Sequence, residues 1–325
     1  MNRSRLPTID LTRGYALGRL GMRNVQYCDM PKLLGSLIGG EPCAVDVTAR
    51  TRMLKLHKYQ LAALDLSGLL AAPNLENITS GQSPIAVNSL LPLAACPGLN
   101  SLSISLPSDT DLSPLSGCKA LRYLSLGLHG DAPCRLAELA MLPNLESLSI
   151  VQRGQPPPLD LSPLRGNNLS SVNLSGLTNT QLELEWVSSA FTSLEISNGA
   201  QLTRLDLGPL ARSRLEFLRL ITCPNIERLD LTPLADLPLK RIAISSVGVA
   251  GLSLAPLASC AGLESLQVVG HSARTLDVTP LAKLSKLDHL DLDGKNPPWL
   301  SEPQAKLLAS PALQAWHKAG RLTVE

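Results

Sequence analysis

Apolar residues return along this chain at a fixed interval. A Leu-x-x-Leu-x-Leu pattern, with occasional Ile, Val or Phe, starts at Leu75, Leu99, Leu121, Leu145, Leu169, Phe191, Leu215, Leu239, Leu263 and Leu287, at steps of 22 or 24 residues. A period in this range marks a stack of like units, each burying its apolar edge on its neighbours. In the unit that begins at Leu215, Leu218 and Leu220 alternate with Phe217 and Arg219, which predicts a strand with one buried face. A second apolar burst follows at Ile226, Leu229 and Leu231, so the unit turns twice and shows leucines inward on both flanks.

The other recurring device is Ser113-Pro114, Ser162-Pro163, Thr232-Pro233 and Thr279-Pro280, with Gly208-Pro209 and Ala255-Pro256 as variants. Ser or Thr at the N-cap and Pro at the first helical position predict one short 3₁₀ or helical turn. A unit of this length has no room for a long helix. An acidic column precedes the step at Asp65, Asp111, Asp160, Glu183, Asp206, Asp230 and Asp277. Its expected role is turn capping and outward solvation, because the dense Gly-Gly-x-Gly-x-Asp repeats of calcium-binding solenoids are missing.

Leu-x-x-Leu-x-Leu followed by Asp-Leu-Ser/Thr-Pro-Leu, as in Leu159-Asp160-Leu161-Ser162-Pro163-Leu164, resembles the leucine-rich repeat family, and within it the short internalin-like repeats, over about residues 51 to 292. The resemblance implies an α/β but mostly β right-handed solenoid. It would have a parallel concave sheet, short 3₁₀ turns or strands on the convex side, helical caps and a binding role for the concavity. The chain departs from the family pattern where an Asn is expected three residues after the last strand leucine; Cys223, Val247, His271 and Lys295 stand there instead. The organisation expected is an N-terminal cap over 1–50, a solenoid of about ten to eleven repeats over 51–295, and a helical C-terminal cap over 296–325.

Stacked repeats expose apolar edges at both ends, hence the caps. The apolar stretch from Met30 to Ile38 predicts a sealing helix, and Ala44 to Val47 is expected to pair as a hairpin with a degenerate first strand at Leu54 to Leu56. At the other end, Ser301 to Gln304 is a near capping box opening a helix through Leu308, and Ser310-Pro311 starts another toward Gly320. Trp299, Leu307, Leu308, Leu313 and Trp316 would cover the last repeat.

Composition narrows the partner class. The chain carries 29 Lys plus Arg against 27 Asp plus Glu, a net +2, and only 3% of it is aromatic. That is not the basic, stacking surface of a nucleic-acid binder. No segment approaches 18 unbroken apolar residues, and no apolar run of signal-peptide length opens the chain. A cytoplasmic protein is the expectation, with secretion as an effector lacking a cleavable signal as the alternative. Seven cysteines are an odd, scattered set, not a disulfide framework. Cys96, Cys118 and Cys260 each sit three residues before a first leucine, in the column that holds Leu142 and Leu284 elsewhere, which predicts core thiols in a reducing compartment.

Catalytic motifs are missing: there is no Gly-x-Ser-x-Gly elbow, phosphate-cradling Gly loop or His-Glu-x-x-His, and the five histidines lie far apart in the stack. No catalytic residue, cofactor or metal is therefore expected; His289, Asp291 and Asp293 share a face but offer too few donors for a cation. The outward columns of the early strands are mostly serine. Those of the later strands gather Glu195, Phe217, Arg219, Lys240, Arg241, His289, Asp291 and Asp293, an aromatic residue flanked by both charge signs. Hot spots favour aromatic and Arg side chains, so this set is the expected partner-binding surface. The function expected is a non-catalytic protein-interaction scaffold, in a bacterial-type effector, immunity or regulatory setting. The alternatives are a substrate-recognition adaptor whose N-terminal region recruits machinery such as a ubiquitin ligase, and an enzyme with an unrecognised site.

Overall fold

The protein is seen here in a computed structural model that describes residues 8–9, 32–271, 276–292, 298–300 and 309–324. The chain divides into two compact units, Met1–Leu145 and Glu146–Glu325. Both are built from the same coil, and its geometry is that of a mostly β leucine-rich repeat solenoid.

In the first unit the repeat strands are Met53–Lys55, Asn77–Thr79, Ser101–Pro107 and Tyr123–His129, paired parallel and in register. In the second they are Ser147–Arg153, Ser171–Ser175, Ser193–Ser197, Phe217–Cys223, Arg241–Val247, Ser265–Val269 and His289–Leu292. Here too each strand pairs parallel with the next, Leu194 opposite Leu218 and Leu218 opposite Ile242. The first apolar position of every repeat is buried, from Leu75 through Phe191 to Leu287. Each such side chain contributes roughly 1.5–3 kcal/mol of burial. One register thus fills the core and leaves the intervening side chains on the open face of the sheet.

The opposite side of each coil is a row of 3₁₀ turns, among them Ser113–Gly117, Ser162–Leu164, Gly208–Arg212, Thr232–Leu234, Ala255–Ser259 and Thr279–Leu281. The capping differs from the sequence expectation. A leucine such as Leu112 or Leu161 occupies the N-cap, and the hydroxyl residue has moved into the first helical position. The cap comes from the acid two residues earlier, because an Asp carboxylate reaches the amide two residues ahead. Asp111 Oδ1 accepts from the Ser113 amide at 2.9 Å while Ser113 Oγ donates to its Oδ2. Asp65, Asp160, Asp206, Asp230 and Asp277 accept in the same way from Ser67, Ser162, Gly208, Thr232 and Thr279. Ser89 and Ser253 stand in where the acid is missing. Glu183 is the exception: its carbonyl, not its carboxylate, is engaged, by Trp186 Nε1 at 3.0 Å.

At the Asn position of the family pattern Cys223 and Val247 are buried and lie opposite one another across two strands, and His271 is half-buried; Lys295 falls outside the described residues. At Cys223 and Val247 an apolar pair stands in place of the amides. Just before this position the backbone is left-handed, at Gly176, Asn198, Thr222, Ser246 and Gly270. At Gly176 a Cβ would run into the Gln152 carbonyl oxygen. Thr222 and Ser246 hold this conformation with a Cβ, at about 1–2 kcal/mol each. Backbone bonds such as Asn198 N to Ile221 O at 2.9 Å hold the turn.

Both N-terminal expectations need correction. Lys32–Leu37 is a strand, not part of a helix, and pairs antiparallel with Pro42–Asp46. That second strand therefore does not pair with the Met53–Lys55 strand, which belongs to the repeat ladder. Gly39 and Gly40 explain the difference, since they weaken a helix and close a tight hairpin, with Gly40 at φ 84° and the Leu37 amide donating to Glu41 O at 2.8 Å. At the C-terminal end Pro311–Lys318 is the expected helix, capped by Ser310 Oγ on the Leu313 amide. Leu313 and Trp316 are buried and Arg321 lies over the Trp316 ring at 4.0 Å. Ser301 to Leu308, with the helix expected there, and the side chain of Trp299 lie outside the described residues.

Cys96, Cys118 and Cys260 sit in the core column as expected. Burial pushes the Cys118 thiol up to about 11. Among the described residues no helix is long and apolar enough to cross a membrane.

Two outcomes follow from this packing. Phe191 is fully buried and meets Trp186 edge-on at 5.4 Å. Phe191→Ala should therefore cost about 3–5 kcal/mol in a denaturant titration; a loss under about 1 kcal/mol would mean the column is not packed there. The turn hydrogen bonds from Ser113 hold the Asp111 carboxyl below its ordinary value, and those from Ser162 and Thr232 do the same for Asp160 and Asp230. Stability from a depressed carboxylate is present above about pH 4 and lost as pH falls through the folded value. The combined Asp111→Asn, Asp160→Asn and Asp230→Asn variant should lower the thermal midpoint at neutral pH slightly and show a shallower acid decline than wild type. An unchanged acid decline would contradict the assignment.

Candidate functional site

The second unit presents its sheet face as register-matched rows. One row runs Ser193, Phe217, Arg241, Ser265 and His289, and the next runs Glu195, Arg219, Ala243, Gln267 and Asp291. Strand spacing is about 4.8 Å, so row neighbours touch. Ala243 and Ser265 are small, whereas Phe217 and Arg219 on one side and Gln267 and His289 on the other are large. The difference in size leaves a depression of about 410 Å³ over Ala243 and Ser265.

Five of the eight residues expected from sequence line this depression: Glu195, Phe217, Arg219, Arg241 and His289. Arg219 Nη1 lies 3.2 Å from Glu195 Oε2. Phe217 is half-buried, while Arg241 and His289 are exposed. Lys240 is drawn aside by Glu216, at 2.6 Å. Asp291 accepts from Gln267 Nε2 at 3.1 Å and stands beside the depression without lining it. Asp293 falls outside the described residues.

Sequence reading missed the floor and the amide wall, Ser193, Ala243, Ser265 and Gln267. The signal was present in the columns: a small residue between two large ones marks a gap. It also passed over Tyr123 in the first unit, 44% exposed with the Arg122 guanidinium 5.7 Å from its ring centre, on a face otherwise dominated by serine. Among the described residues no group of three or more His, Cys, Asp or Glu side chains is placed to hold a metal ion.

No family model matches the chain, and no curated protein matches it. Among solved structures it is similar to an internalin, InlF, of Listeria monocytogenes, with 22% identity over 70% of each chain and a TM-score of 0.45. It is also similar to a leucine-rich repeat protein of Leptospira interrogans, with 16% identity over 80% of this chain and 74% of the other and a TM-score of 0.49.

The Glu195–Arg219 pair is partly exposed, so it orders the patch more than it stabilises the fold. Glu195→Gln should shift folding stability by less than about 1 kcal/mol; a larger loss in chemical denaturation would make the pair a structural element and not part of an available surface.

Proposed function

We propose that the protein is a non-catalytic interaction scaffold that binds another protein on the open sheet face of its second unit. The observation that carries this reading is the depression at Phe217 and Arg241, where an aromatic ring, guanidinium groups and hydroxyls from adjacent strands converge on a rigid sheet. Aromatic and Arg side chains ringed by polar groups are the usual composition of an interface hot spot. Parallel strands fix the positions from which these side chains project, which reduces the ordering cost of association.

The same features weigh against catalysis in this reading. Ser265 is the row neighbour of His289, but among the described residues no hydrogen bond joins the two side chains, and the carboxylates Glu195 and Asp291 are occupied by Arg219 and Gln267. Buried thiols in the core column support a reducing, cytoplasmic setting, with an effector, immunity or regulatory role within it.

Phe217→Ala combined with Arg219→Ala should abolish co-purification of the partner captured by wild-type chain from its native cell extract, while the thermal midpoint stays nearly unchanged. Equal capture by wild type and double variant would show that the partner binds elsewhere.

A further inference from the structure

The charges around the depression are unequal once their partners are assigned. Glu195 is held by Arg219, Glu216 by Lys240, and Asp291 accepts from Gln267. These three carboxylates therefore each have an intramolecular engagement. Arg241 does not: among the described residues its exposed side chain has no ion pair and no hydrogen bond. It lines the depression beside Ala243 and Ser265 and is the cross-strand neighbour of Phe217.

A guanidinium in that position is a fork of donors without an acceptor. An anionic group above Ala243 would meet Arg241 directly, Arg219 on one flank, and the Ser265 hydroxyl and Gln267 amide on the other. About one strand spacing away lies the Phe217 ring, which offers apolar surface to the next residue of the same ligand. The framing carboxylates Glu195 and Asp291 would repel a longer anionic run, so the site suits one acidic side chain and not a polyanion.

We propose that the depression binds an extended, acidic segment of the partner protein, with one Asp or Glu side chain on Arg241 and an adjacent aromatic or branched aliphatic side chain on Phe217. This assignment rests on the interaction role proposed above and specifies its ligand. A carboxylate in an internal segment, not a chain terminus or a nucleic-acid phosphate, is the occupant.

The test is to pan random displayed dodecapeptides against the full chain and then synthesise the enriched sequences with acetylated and amidated ends. The expected peptides place Asp or Glu next to a large apolar residue. Arg241→Ala should weaken them about tenfold or more, Arg241→Lys should recover part of the loss, and Asp→Asn or Glu→Gln in the peptide should match the Arg241→Ala effect. Circular dichroism melts of each variant should coincide with wild type. Acidic peptides indifferent to Arg241→Ala would overturn the proposal. So would an unenriched library, or tighter binding of a single-stranded oligonucleotide than of any peptide. Neutral or basic peptides that are lost with Phe217→Ala would overturn the acidic assignment while leaving the interaction role standing. Peptides indifferent to both Phe217→Ala and Arg241→Ala would remove the face itself.

Discussion

Everything in this structure depends on the burial of one large apolar side chain per coil against neighbouring coils of the same unit. Within each unit, from Leu75 to Leu145 in the first and from Leu169 to Leu287 in the second, the members of this ladder are buried as stacked repeats require. The strand register follows, because slipping one strand by a residue would expose Leu218 and Leu220 and bury Phe217 and Arg219. The register in turn decides which side chains share a row on the open face. Core packing and surface chemistry are therefore a single constraint.

The turn side shows how little is needed to keep that register. Six carboxylates, from Asp65 to Asp277, each take the amide two residues ahead and start a 3₁₀ turn, and the leucine or valine between stays buried. Where the family pattern calls for an amide ladder, Cys223 and Val247 extend the apolar column instead. Left-handed residues stand just before these positions, and backbone hydrogen bonds such as Asn198 N to Ile221 O hold the chain there.

Much of this was legible in the sequence because periodicity is a repeated measurement: ten weak copies at matched spacing place every repeat strand from Asn77 onward. The ends carry no such repetition. The Met30 to Ile38 segment reads as helix on apolar content alone, and only the following Gly39-Gly40 reveals the hairpin of Lys32–Leu37. The capping residue was misplaced by one turn position for a related reason, since Ser-Pro is a helix-start signal and the Asp two residues earlier is the stronger acceptor. At the site, the large side chains were visible from composition. The gap they frame was not, because a depression is made by Ala243 and Ser265, residues that draw no notice singly. Lys240 was included on charge, but its Glu216 contact follows from a column next to the one being read.

The face is thus an expression of the core, and an aromatic ring beside an unmatched guanidinium is what it offers. The most direct test is photocross-linking in cells with p-benzoylphenylalanine in place of Phe217 on the sheet face, or in place of Ala258, which is exposed on the turn side. The account predicts a covalent adduct with a partner protein from position 217 and none from 258. An adduct formed from 258 alone would contradict it.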